Sequence, residues 1–178
     1  MGWPRRAKGL VESSTKGVFD ERVLLIILFA MLPAPSSAQI ATDRDAVLKV
    51  VQIFFDTMTA RDVGGARKIM MAEGRFYAMD EPKPKSNPQS FTGEEYFERL
   101  QKQTQTLRER IWNPDVRVHE SIAAVWAPYD FWIDGKFSHC GIDIFDLIKT
   151  SEGEWKIAGG VFTMEAKCEP SPLGPLKP

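Results

Sequence analysis

Trp126 to Lys149 reads WAPYDFWIDGKFSHCGIDIFDLIK, two runs of aromatic and branched residues around Asp134-Gly135. An Asp-Gly pair supplies both left-handed positions of a two-residue β-turn, so these runs pair as a hairpin. The turn sets the register: Ile133 faces Lys136, Trp132 faces Phe137, and, without a bulge, Asp130 faces His139 and Trp126 faces Asp143. Further on, Ser151-Glu152-Gly153 suits a three-residue turn with glycine in the left-handed position. This brings Glu154 to Ala166 alongside as a third strand and sets Glu165 opposite His139. Side chains alternate across a strand, so one face collects Trp126, Asp130, Trp132, His139, Asp143 and Glu165. Phe145, Leu147, Trp155 and Ile157 continue that face as core.

Upstream the period changes from two to between three and four. Val47, Val50, Val51, Phe54, Phe55 and Met58 mark one face of a helix over about 43–61, with Thr42 and Asp45 as a weak cap. A second helix from Asp62 carries Ala66, Ile69 and Met70, weakened by Gly64-Gly65. Arg75 to Met79 reads as a strand, and Pro82, Pro84 and Pro88 as a loop. Thr92-Gly93-Glu94-Glu95 caps a third helix with Tyr96, Phe97 and Leu100 on its apolar face. Helices followed by a meander of strands make an α+β domain, a curved antiparallel sheet wrapped on the first helix.

Composition bounds what such a domain does. The 178 residues carry 23 Lys plus Arg against 24 Asp plus Glu, a formal net charge of -1, which argues against a nucleic-acid binder. Apolar residues at 43% and charged ones at 26% are globular values. Two cysteines make neither a disulfide scaffold nor a four-ligand zinc site.

Val23 to Leu32 is the longest apolar run, too short for a spanning helix that needs about 20 residues. Pro33 to Ala38 follows with small residues at Ser36 and Ala38, the pattern of a signal peptide cut after Ala38. Acidic Asp20 and Glu21 stand where such a leader is usually basic. The expected plan is a leader over 1–38, a domain over 39–170 and a proline-rich tail over 171–178. The mature protein is then periplasmic or secreted, with no stable membrane anchor.

The stretch Trp126 to Gly141, with Ala127-Pro128-Tyr129, Asp134-Gly135-Lys136-Phe137 and Ser138-His139-Cys140-Gly141, resembles the nuclear transport factor 2-like (SnoaL-like) superfamily. It is similar to the exported branch labelled "putative lumazine-binding", as is Cys168-Glu169-Pro170-Ser171-Pro172. The resemblance runs from about Ala41 to Gly174. It implies the cone-shaped, cystatin-like fold and a superfamily hosting enzymes and binders alike.

On that face a greasy floor and converging ionisable groups describe a small-molecule pocket. The expected ligand set is Trp126, Asp130, Trp132, His139, Asp143 and Glu165, binding a small hydrophobic or partly aromatic molecule. A different reading is an isomerase or dehydratase. His139 oriented by Asp130, or Asp143 with its pKa raised by desolvation, would be the base. His139 with Asp130 is equally a structural salt bridge at the sheet rim. No metal or cofactor is expected, since His139 would be the lone histidine beside Asp143 and Glu165. The opposite face, with Ile142, Ile144, Phe162, Met164, Val125 and Tyr129, is the expected homodimer contact. Cys140 and Cys168 are either two thiols or one disulfide; the bond requires the chain to turn back after Ala166, which Pro170 and Pro172 allow.

Overall fold

The Val47–Met58 stripe does what its spacing predicts. In the computed structural model, which describes residues 37–81 and 88–176, it is the buried face of α1, Ser37–Ala60. The helix starts earlier than the Thr42 cap predicted. It ends at Arg61, whose φ of 57° is left-handed. There Asp62 N donates to Thr57 O and Arg61 N to Met58 O, closing the last carbonyls. Asp62 then caps α2, Val63–Ile69, accepting from Gly65 N at 2.9 Å. The third helix, α3 (Gly93–Lys102), carries the full capping box between Thr92 and Glu95. Residues 1–36 of the expected leader, including the run Val23–Leu32, and Pro82 and Pro84 lie outside the described residues, and the expected cut after Ala38 falls within α1.

Seven strands follow or interleave: β1 Met70–Asp80, β2 Gln89–Thr92, β3 Leu107–Ile111, β4 Asp115–His119, β5 Ile122–Ile133, β6 Lys136–Lys149 and β7 Trp155–Met164. They form one sheet in the order β2-β1-β7-β6-β5-β3, with β4 also on β5. The fold is α+β as expected, but the sheet is mixed, because β1 runs parallel to β7. Strands β2 and β3 were not anticipated: β2 is only four residues long, and the charged residues of β3 mask its alternation.

Both turns form as read, with Asp134 and Gly135 at φ 50° and 75° and Gly153 at 84°. The register does not continue as expected. Trp132 faces Phe137, but Phe131 then faces His139, leaving Ser138 as a bulge. A second bulge at Ala158 lies between Leu147↔Ile157 and Asp146↔Gly159. Each extra residue reverses which side chains share a face. The inner face of β5 is therefore Ala123, Val125, Ala127, Tyr129 and Phe131, the odd-numbered set.

α1 lies across that inner face. Phe54 and Phe55 pack edge-on to Phe145 at 5.7 and 5.9 Å between ring centres. Val47, Val51, Val125, Leu147 and Ile157 fill the rest of the core. Asp43 ties the helix start to the β6–β7 hairpin, accepting from Lys149 Nζ at 2.6 Å and Trp155 Nε1 at 3.4 Å. Among the described residues no helix is long and apolar enough to cross a membrane.

Candidate functional site

The core does not fill the space between α1, α3 and the far end of the sheet. A cavity of about 330 Å³ remains there, within the usual range for ligand sites. Phe54 and Met58 of α1, Tyr96 and Leu100 of α3, Phe76 of β1 and Phe91 of β2 wall one side. Leu107, Glu109, Tyr129, Phe131, His139, Asp143, Phe145, Phe162 and Met164 line the sheet side. Arg99 and Gln103 border the cavity from the end of α3, with Arg99 stacked over Phe91 at 4.9 Å.

Two glycines let β6 and β7 approach closely beside this wall. A Cβ on Gly141 would sit 2.1 Å from Thr163 O, and one on Gly160 would sit 2.4 Å from Ile144 O. The Tyr129 hydroxyl donates to the same Thr163 O at 2.6 Å, so this buried phenol has its partner. Tyr96 OH has none.

The ionisable pair is Glu109 with Asp143. Burial pushes Asp143 up to about 7, and its Oδ2 has no hydrogen-bond partner. Glu109 is also raised, first by burial and then by the negative charge and hydrogen bonding of Asp143. Two carboxyls this close in an apolar wall cannot both ionise, so one proton stays between them. His139 stacks on Phe131 at 4.8 Å, and its Nδ1 meets Ser138 Oγ at 3.0 Å. Burial lowers its pKa, which keeps the ring neutral.

Of the six residues expected to share the pocket, His139 and Asp143 line this cavity. The bulges turn the other four away. Trp126 faces Ile144 on the outer side and is 52% exposed. Asp130 faces Cys140 rather than His139, and its partner is Arg110, whose Nε donates to Oδ1 at 2.8 Å. The His139–Asp130 base pair is therefore not formed. Trp132 lies beside Phe137 on the same outer side, with Arg110 over its ring. Glu165 pairs with Cys140 through the backbone, not with His139. The outer set changes with them: Val125 and Tyr129 are buried, and Phe162 and Met164 line the cavity.

Glu109 escaped the sequence reading, although Leu107-Arg108-Glu109-Arg110-Ile111 carried a signal. Strand alternation puts Glu109 between two apolar residues on one face, with both arginines on the other. Cys140 and Cys168 are joined, their Cα atoms 6.3 Å apart, so the tail does turn back. Among the described residues no group of three or more metal-binding side chains comes together.

Residues 42–163 match the family described as "Putative lumazine-binding", and the chain belongs to it. No curated protein matches. Among solved structures, a nuclear transport factor 2-like protein from Cytophaga hutchinsonii superposes with a TM-score of 0.59 at 13% identity, over 68% of this chain and 98% of that one. A cystatin-like-fold protein from Nostoc punctiforme gives 0.57 at 12% identity, over 75% and 96%. A "putative dehydratase" of the same superfamily from Streptomyces avermitilis gives 0.56 at 14% identity, over 72% and 99%. At these identities the likeness is one of fold.

Proposed function

We propose that this member of the lumazine-binding family holds a small, partly aromatic or hydrophobic molecule in the cavity between α1, α3 and the sheet. One observation carries the reading: an aromatic-walled space of about 330 Å³ with two carboxyls, half-buried Glu109 and buried Asp143, in its wall. The aromatic rings supply area, and the pair supplies the few polar contacts that orient a ligand. The family description points to the same class of ligand. Mass spectrometry of molecules released from the purified, folded protein tests it. A stoichiometric aromatic compound is expected, and adding it back should shift the methyl resonances of Met58 and Met164. If nothing is released and no aromatic compound moves those methyls, the reading fails.

A second reading, isomerase or dehydratase chemistry, rests on Asp143. A carboxyl pushed up to about 7 by burial is poised as a general base at neutral pH. Turnover of an added substrate, rising through that pH and lost in Asp143→Asn, would select it.

The apolar run Val23–Leu32 and the small residues before Gln39 support export with cleavage after Ala38. A disulfide is at home in an oxidising compartment. N-terminal sequencing of the exported form is expected to begin at Gln39; an intact Met1 on cytoplasmic protein would refute export. The same reading has the protein as a homodimer through its outer sheet face.

A further inference from the structure

We propose that the molecule this cavity takes is a cation: an amine, an amidine or a protonated nitrogen ring whose N–H group meets the Glu109–Asp143 pair. The inference rests on the binding reading above and adds the charge of the ligand.

The carboxyl pair in the cavity wall has no ion-pair partner: Glu109 and Asp143 approach from β3 and β6, and neither has a salt bridge among the described residues. Of the two arginines that flank Glu109, Arg110 spends its guanidinium on Asp130 and on Gly174 O, and Arg108 is exposed on the other face of the strand. Arg99 lies flat on Phe91. A buried carboxylate without a countercharge costs free energy, and it recovers that cost when a cation arrives. The Asp143 Oδ2 acceptor lacks a donor, which an ammonium or ring N–H supplies. Around the pair stand the rings of Phe54, Tyr96, Tyr129 and Phe131, whose negative faces attract positive charge. A neutral ligand fills the same volume but leaves the charge of Asp143 uncompensated. An anion is repelled by it.

The groups that bear on the titration of Asp143 are few. Glu109 faces it from β3, Tyr129 from β5, Tyr96 from α3, and His139 lies on its own strand; Arg99 borders the cavity from α3. α1 contributes Phe54 and Met58, with Asp56, Arg108 and Arg110 on the far side of Glu109. Asp130 acts on Glu109 by its charge.

Three isosteric probes separate the possibilities: 1-naphthylmethylamine, 1-naphthalenemethanol and 1-naphthoic acid, titrated against the full protein by calorimetry and by the methyl signals of Met58 and Met164. At about pH 8 the amine is expected to bind roughly tenfold or more tighter than the alcohol, with the acid weakest. The amine stays protonated down to pH 6. Its affinity should still fall about tenfold between those two values, because Asp143 becomes neutral around 7, while the alcohol barely changes. Asp143→Asn should erase the preference and the pH dependence, with the methyl spectrum of the ligand-free variant showing that it is folded. Equal binding of amine and alcohol to the wild type overturns the inference and leaves the cavity reading standing. If no probe moves either methyl, the cavity reading falls and this inference with it.

Discussion

Asp143 and Asp43 show how one residue type takes opposite titrations from its surroundings. Asp43 accepts hydrogen bonds from Lys149 and then from Gln39 and Trp155, so its pKa is lowered. Its contribution to stability is present above the ordinary carboxyl range and is lost only in acid. Asp143 is raised to about 7 by burial, so the folded protein holds a proton there that the unfolded chain releases near pH 4. Folding is therefore penalised progressively as pH rises from about 4 to about 7. His139, lowered by burial, works the other way, losing stability as pH falls through its unfolded value. Comparing Asp143→Asn with the wild type cancels that term. The variant should gain stability relative to wild type between pH 5 and pH 8, by an amount on the order of a few kcal/mol. Urea midpoints at the two pH values measure it; an unchanged difference would mean that the carboxyl is not desolvated.

At the scale of strands and helices, the turns and caps were legible and the bulges were not. Asp134-Gly135, Gly153 and the Thr92–Glu95 box are chemical signals within a few residues of what they cause. The extra residues at Ser138 and Ala158 have no such local mark. The Ser138 bulge serves a distant balance, seating Tyr129 and Phe131 inside while Trp132 and Phe137 lie outside. That one-residue slip is why Asp143 and His139 of β6 line the cavity while Trp126, Asp130 and Trp132 of β5, read onto the same face, point away from it. Glu165 was displaced by the second bulge. Two variants probe these elements. Thr92→Ala removes one arm of the capping box and should cost about 1 kcal/mol in urea unfolding. Gly141→Ala is the harsher change, since its Cβ would lie 2.1 Å from a backbone oxygen of β7. Parting β6 from β7 should cost about 1–3 kcal/mol and disturb the Tyr129–Thr163 hydrogen bond. Near wild-type stability in that variant would mean that the two strands separate freely there.

Across the whole molecule, the outer side of the sheet is divided between two arrangements. At one end the chain after β7 folds back over Asp130 and Trp132, held by the Cys140–Cys168 bond and by Arg110 Nη2 donating to Gly174 O at 2.8 Å. The bond spans 28 residues of sequence, and constraint of the unfolded chain alone gives it about 3 kcal/mol. Cys168→Ser should lower the urea midpoint accordingly while leaving the cavity's methyl signals in place, because the tail covers the opposite face. At the other end no segment of the described chain covers the sheet. Tyr77, Val161, Ile144 and Trp126 stand in one cross-strand row over β1, β7, β6 and β5, three of them 38% to 52% exposed. Arg75 and Asp146 flank the row on the same face, charges of opposite sign that a two-fold contact would pair across the axis. Such a row, with Arg75 and Asp146 both opposite Gly159 beside it, is the surface through which we expect two copies to associate. Sedimentation at micromolar concentration should give a dimer. Trp126→Glu should give a monomer that binds the naphthyl amine as the wild type does, since Trp126 points away from the cavity. A monomeric wild type, or a dimer that survives this substitution, would place the contact elsewhere or abolish it.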